Sequence, residues 1–88
     1  MRMIMVANQQ LTVTHSTGPD ESESLEFWRG PGRTEKDLLV AFTFFEQSES
    51  PLLVHIPTEI PTALLTGTLD YCRNWVSKNL PETHLILS

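Results

Sequence analysis

The fold of this chain follows most directly from Ile56–Ser88, which reads IPTEIPTALLTGTLDYCRNWVSKNLPETHLILS. Near its start, Thr58 is suited to cap free amide groups, and Pro61 lacks the amide hydrogen that a first helical turn leaves unpaired. Near its end, Pro81 cannot continue a helix. These signals predict one long helix over about residues 59–79.

Two neighbouring stripes of side chains recur at helical spacing along this predicted helix. The first stripe consists of Leu65, Leu69, Cys72 and Val76, and Leu64 and Trp75 widen it. We expect this stripe to pack on a sheet. The second consists of Leu64, Thr68, Tyr71 and Trp75. If the sheet covers only the first stripe, the second leaves an apolar patch for a partner or for another copy of the chain. The candidate self-association residues are therefore Leu64, Tyr71 and Trp75.

Segments that are apolar, or that alternate with period two, predict the strands of that sheet. They are Met3–Ala7, Leu11–His15, Ser24–Arg29 and Leu52–Ile56. The first two form either a hairpin that turns at Asn8–Gln10, which we favour, or one bent strand. In the third segment, alternation places Glu26 and Trp28 on one face and apolar residues on the other.

Two structures are compatible with residues 34–47. Thr34–Asp37 resembles a capping box that would open a helix over Leu38–Gln47. As a strand, the same run is apolar on both faces and rich in aromatic residues, which is typical of a central strand. We favour the strand, which would form a hairpin with Leu52–Ile56.

Together these elements predict an α+β fold, in which one long C-terminal helix packs on one face of an antiparallel sheet of four to six strands. A short final strand at Thr83–Leu87 would follow, either as an edge strand or as an arm exchanged with a neighbouring chain. The 88 residues are expected to form a single small domain, residues 1–88. No run reaches the ~20 apolar residues of a transmembrane helix, so no membrane partner is expected.

Charge narrows the class of partner. The formal net charge is -5, and Asp20–Glu59 holds nine carboxylates against three basic side chains. Because nucleic-acid binders neutralise phosphates with Lys and Arg, direct binding of nucleic acid is not expected. An acidic chain favours a protein partner with a basic surface.

The single cysteine and the N-terminal residues indicate the cellular compartment of the protein. Cys72 is the only cysteine, which excludes an internal disulfide, and its place on an apolar helix face predicts a buried thiol. Met1–Ala7 resembles the start of a signal peptide, but Asn8–Gln10 interrupts it before a hydrophobic region of ~7–15 residues develops. We therefore expect a cytoplasmic protein.

No set of residues has the spacing of a catalytic or metal site. His15, His55 and His84 lie in separate predicted strands without a nearby ligand, so neither a zinc site nor a cofactor is predicted. Cys72 lies mid-helix, where the positive helix end cannot stabilise a thiolate, and it is interpreted as a core residue. Gly30–Arg33 lacks the other residues of a phosphate-binding loop and is interpreted as a turn.

The acidic segment 20–28 is the best candidate contact surface. Its carboxylates lack the spacing of an EF-hand, so a solvated acidic loop is the simplest interpretation. The alternative is a contact in which carboxylates steer a basic partner and an aromatic residue anchors it. The candidate partner-binding residues are Asp20, Glu21, Glu23, Glu26 and Trp28.

Three hypotheses of function follow. The first is a non-enzymatic binding protein that occupies a partner protein's surface, for example as an inhibitor of a basic nucleic-acid-handling protein. The second is a structural or assembly subunit that forms a homodimer. The third is a small ligand-binding protein or enzyme with a pocket between helix and sheet that uses His55, His84 or Cys72. We favour the first, because it fits the acidity, the small size and the lack of a catalytic motif.

Overall fold

The computed structural model describes residues 2–18, 22–31, 34–45 and 52–79. Its main elements are β1 (Arg2–Val6), β2 (Gln9–Thr17), β3 (Ser22–Arg29), β4 (Leu38–Phe45), β5 (Leu52–His55) and the helix α1 (Thr62–Asn79). The strands follow chain order across one sheet, and each neighbouring pair is antiparallel, so the predicted α+β fold is confirmed. The final strand predicted at Thr83–Leu87 lies outside the described residues. Among the residues that are described, no helix is long and apolar enough to cross a membrane.

Residues 38–45 form the strand that we favoured over a helix. One short 3-10 turn at Glu35–Asp37 precedes β4, which pairs with β3 on one side and β5 on the other. Val40, Phe42 and Phe44 are buried on the face of β4 that contacts the helix. The run is a central strand because both of its edges are paired, and aromatic and β-branched side chains fit such a packed, pleated surface.

The first two strands form the favoured hairpin, but its turn lies earlier than predicted. Val6 pairs with Gln9, so Ala7 and Asn8 are the two turn residues. Their φ angles are 50° and 64°. A type I′ turn requires such left-handed values at both positions, and its twist matches that of the flanking strands.

A bulge in β4 directs one more side chain into the core. Phe27 pairs with Val40. Trp28 pairs with Leu38, which leaves Leu39 as an extra residue on β4. Leu39 is buried in a small cluster with Val6, Leu11 and Leu64.

Helix α1 begins later than predicted, and Thr58 is not its cap. The helix spans Thr62–Asn79, and the carbonyl of Pro61 accepts its first hydrogen bond from the Leu65 amide at 3.0 Å. The residue before a proline is sterically disfavoured from helical conformation, which applies here to Ile60. The chain between β5 and α1 therefore stays non-helical through Pro61.

The helix packs on one face of the sheet, and the two predicted stripes merge into one broad buried face. The sheet contributes Val13, Leu25, Phe27, Val40, Phe42 and Phe44. The helix contributes the buried residues Leu64, Thr68, Cys72 and Val76. Tyr71 packs edge-on against Phe27 with ring centroids 5.7 Å apart, and Trp75 stacks on Phe44 at 6.2 Å.

This packing corrects the predicted self-association surface. Leu64 is only 2% exposed, so the prediction is wrong for that residue. Tyr71 and Trp75 are half-buried against the sheet of their own chain and keep only part of their surface. The physical reason is that a helix lying on a wide sheet buries a broad arc rather than one narrow stripe.

Candidate binding surface on the open sheet face

One face of the sheet carries the helix, and no described element packs on the other, which we call the open face. Because side chains alternate along a strand, the register fixes which residues lie on it. On the central strands these include Thr12, Thr14, Ser24, Glu26, Trp28 and Thr43. On the outer strands they include Met3, Met5 and Leu53. The open face therefore combines hydroxyls, one carboxylate, one indole and apolar side chains.

A chain of hydrogen bonds links Trp28 to Glu26 at the centre of the open face. The Trp28 indole N–H donates to Thr14 Oγ1 at 2.9 Å, and the Thr14 hydroxyl donates to Glu26 Oε1 at 3.2 Å. The Ser16 hydroxyl donates to Glu26 Oε2, also at 3.2 Å. Thr14 and Glu26 are direct partners in the β2–β3 ladder, so the backbone register positions this chain of bonds.

Glu26 has no basic side chain as a partner within the described residues, whereas Glu23 does have one. The Glu23 carboxylate is hydrogen-bonded to the His15 imidazole on the helix-covered face and accepts a hydrogen bond from Thr17 at 3.1 Å. The carboxylate of Glu23 is thus engaged by its own chain. The half-buried Glu26 keeps its charge available to a partner.

Further hydrogen bonds keep the open face ordered. The hydroxyls of Ser24 and Thr43 lie 2.9 Å apart across β3 and β4. The Thr12 hydroxyl, which is buried, donates to the Gly30 carbonyl and lies 3.1 Å from Met3 Sδ. In the described part of the chain, every buried side-chain nitrogen or oxygen has a hydrogen-bond partner. A surface whose polar groups are already satisfied loses little conformational freedom when it binds.

Exposed apolar side chains lie at both edges of the open face. Met3 and Met5 on β1 are 46% and 67% exposed, and Leu53 on β5 is 58% exposed. Single exposed apolar residues are ordinary, but these share one face with the half-buried Trp28. Because Met and aromatic residues are enriched at protein interfaces, this composition is typical of a protein-contact surface.

The structure divides the predicted contact residues between the two faces. Glu26 and Trp28 lie together on the open face, as their alternation predicts. Glu23 lies on the opposite face, in register with Thr17. Asp20 and Glu21 lie outside the described residues. Of the predicted acidic surface, the described structure therefore brings together only Glu26 and Trp28.

The hydroxyls that hold Glu26 in place were not among the residues predicted from the sequence. A signal was present, since Thr12 and Thr14 alternate with the buried Leu11 and Val13 and mark β2 as a strand with two unlike faces. The partner of Thr14, however, depends on how β2 and β3 align. No local pattern in the sequence gives that register.

The other candidate chemical groups do not form a site in the part of the chain that the structure describes. Burial raises the pKa of the Cys72 thiol from 9.0 to about 12, so near neutral pH it stays protonated and is not a nucleophile. His15 packs on Trp75 at a centroid distance of 4.9 Å, and His55 is exposed on β5. His84 lies outside the described residues. Among those described, no group of three His, Cys, Asp or Glu side chains is placed to hold a metal ion.

Comparison with protein-family models, curated proteins and solved structures found no match for this chain. Function is therefore inferred from the chemistry of the open face. That face offers an aromatic anchor, a carboxylate held by hydroxyls and an apolar rim. This arrangement is suited to recognising another surface.

Proposed function

We propose that this chain is a non-enzymatic binding protein that docks its open face on a partner protein. The observation that supports this most is the grouping of Trp28, Glu26 and the exposed Met5 on a face that no described element covers. An aromatic residue near the centre of a surface is a typical energetic anchor in protein interfaces, and surrounding contacts exclude water from it. The open face has this arrangement, with Trp28 inside the apolar rim.

The charge of the open face favours a partner with a basic surface. Glu26 is the only Asp, Glu, Lys or Arg side chain that the described strands place on this face, and the whole chain carries a formal charge of -5. Opposite charge speeds encounter and selects partners of matching sign. In its most specific form, the proposal is that the partner is a basic nucleic-acid-handling protein, which is inhibited when its basic surface is covered.

Affinity capture with two matched variants tests the proposal. Met5→Lys adds a positive charge to the open face, and Asn74→Lys adds the same charge to the exposed side of α1. Both positions are exposed, so both variants are expected to fold. From a lysate of the source cells, wild type and Asn74→Lys should capture one stoichiometric partner, and Met5→Lys should capture at least about tenfold less of it. Equal capture by both variants would contradict the proposal.

A second copy of the chain is a second candidate partner, and β5 favours it. β5 is an outer strand of the sheet that the described residues form, and Leu53, Val54 and the following Ile56 are 58%, 42% and 42% exposed. An apolar outer strand without a charged residue is a ready template for pairing with another strand. Two β5 strands that pair antiparallel about a two-fold axis would form the homodimer.

The mass in solution decides between these two partners. Light scattering at micromolar concentration should report a dimer for wild type and a monomer for Val54→Lys if β5 mediates assembly. The matched control is Asn74→Lys, which should remain dimeric. A monomeric wild type contradicts the homodimer and leaves the partner protein as the proposed occupant.

The third hypothesis, a ligand pocket between helix and sheet, gains no support from the described residues. Cys72 is enclosed in the core beside buried aromatic residues such as Phe27 and Phe42. His55 is on the open face, where it pairs with Ala41. Within the described residues, His55 and Cys72 are therefore not brought together.

A further inference from the structure

We propose that Glu26 and Trp28 form a subsite for a single arginine side chain presented by the partner protein. The inference deepens the proposed function and rests on it, because the partner supplies the arginine. The carboxylate would accept two N–H groups of the guanidinium, and the indole would contact its flat face.

The carboxylate of Glu26 is held in place before any ligand binds. Thr14 donates to Oε1 at 3.2 Å, and Ser16 donates to Oε2 at 3.2 Å and lies 3.4 Å from Oε1. A carboxylate has about four acceptor positions, so these two bonds leave capacity for a two-pronged donor. Because the side chain is already ordered, little rotational freedom is lost when a ligand pairs with it.

The indole of Trp28 is fixed beside this carboxylate. Residues two apart on a strand project from the same face, so Trp28 and Glu26 are neighbours on β3. The indole N–H of Trp28 donates a hydrogen bond to Thr14 Oγ1 at 2.9 Å. Because the N–H is already used, a ligand would contact the ring carbons of the indole. Trp28 is half-buried, and part of the side chain is open to solvent.

This pair of groups selects arginine among cationic side chains. The guanidinium is planar, pairs with a carboxylate through two parallel hydrogen bonds and stacks on aromatic rings. A lysine ammonium is a compact and strongly hydrated point charge that matches neither geometry. A neutral side chain would leave the charge of Glu26 without a counterpart, since no described residue supplies one.

Glu23 provides a matched comparison on the same strand. It lies on the opposite face of β3 and pairs with His15 and Thr17 of its own chain. Glu23→Gln and Glu26→Gln therefore remove the same charge from β3. Only the second variant changes the proposed subsite.

Titration of the 15N-labelled protein with short peptides tests the subsite. The probe is acetyl-Gly-Arg-Gly-amide, and its citrulline analogue keeps the shape without the charge. We expect saturable shifts, with millimolar affinity, of the Trp28 indole resonance, assigned with Trp28→Phe, and of the amides near Glu26. Glu26→Gln and the citrulline peptide should each weaken binding by about tenfold, and Glu23→Gln by no more than about twofold.

Several results would overturn the subsite. They are equal binding of the arginine and citrulline peptides, equal affinity of Glu26→Gln and wild type, or shifts centred on Glu23. A matching lysine peptide that binds as tightly as the arginine peptide would overturn the choice of arginine.

Failure of the subsite is distinguishable from failure of the proposed function. If Met5→Lys abolishes capture of the partner while Glu26→Gln captures it normally, the open face is the binding surface and the arginine subsite is wrong. If the arginine peptide binds at Glu26 but Met5→Lys and Asn74→Lys capture the same amount of partner, the peptide site stands and the proposed function is wrong.

Discussion

Gly67 and Val6 set the distance between the helix and the sheet: a Cβ atom placed on Gly67 would lie 2.3 Å from Val6 Cγ1. Such a separation is far inside van der Waals contact, so α1 approaches β1 as closely as it does because residue 67 has no side chain. Through this close contact the helix packs on one face of the sheet, and the opposite face stays free of the helix.

Gly67→Ala should therefore destabilise the protein, although alanine is the better helix former. Overpacking against Val6 is expected to outweigh the gain in helix propensity of roughly 1 kcal/mol, for a net loss of about 1–2 kcal/mol. Urea unfolding measures it. In a Val6→Ala background the same change should become neutral or stabilising, and Thr66→Ala, on the exposed side of α1, serves as the control. A stabilising Gly67→Ala in wild type would contradict the close contact.

The first turn should be improvable by a single change. Ala7 has a φ of 50°, a conformation that costs an L-residue with a Cβ roughly 1 kcal/mol and glycine almost nothing. Ala7→Gly is therefore expected to stabilise the protein by about 0.5–1 kcal/mol. The reverse change, Gly30→Ala, is the control, because Gly30 has a φ of 56° and open space around it, so only the conformational cost remains. Thermal unfolding of the two variants should shift in opposite directions.

Burial of Cys72 predicts a loss of stability at high pH. Its pKa is raised from 9.0 to about 12 in the folded state, so the thiol stabilises the fold below pH 9 and that contribution declines as the pH rises toward 12. Relative to Cys72→Ala, wild type should lose about 1.4 kcal/mol between pH 7 and pH 10. Denaturant unfolding of both proteins at the two pH values measures the difference. If the difference in unfolding free energy between wild type and Cys72→Ala did not change with pH, the thiol would not be desolvated.

The Thr14 hydroxyl should act as a positioning group for the proposed arginine subsite. Thr14→Val keeps the shape and the charge of the open face but removes the bond that orients Glu26 and accepts the Trp28 indole N–H. Affinity for the arginine peptide is expected to fall by about threefold. Thr43→Val, which breaks a hydroxyl pair with Ser24 on the same face, should leave the affinity unchanged. Equal effects of the two variants would show that Thr14 has no special role.

Much of the fold could be predicted from the sequence, because alternation and helical spacing are local signals. The position of Glu26 and Trp28 on a face opposite Phe27 followed from period two alone. The helix start did not, because Thr58 has the features of a cap while the steric effect of Pro61 on Ile60 overrides it. The buried face of α1 was predicted too narrow, because the sheet also covers Leu64 and Thr68, which helical spacing assigns to a second stripe.

The candidate site could be predicted only in part. Because side chains alternate along β3, Glu23 and Glu26 lie on opposite faces of the sheet. Their closeness in sequence nevertheless led to the prediction that they share one contact surface. The hydrogen bond between Thr14 and Glu26 joins two strands, and its existence depends on the register of β2 and β3. Interactions of this kind appear only once the strands are aligned.

Photo-crosslinking in the source cells tests whether the open face is the binding surface. Benzoylphenylalanine replaces Leu53 on the open face in one protein and the exposed Asn74 of α1 in another. We expect an adduct with one partner protein from position 53 and none from position 74. An adduct that forms from position 74 and not from position 53 would contradict it.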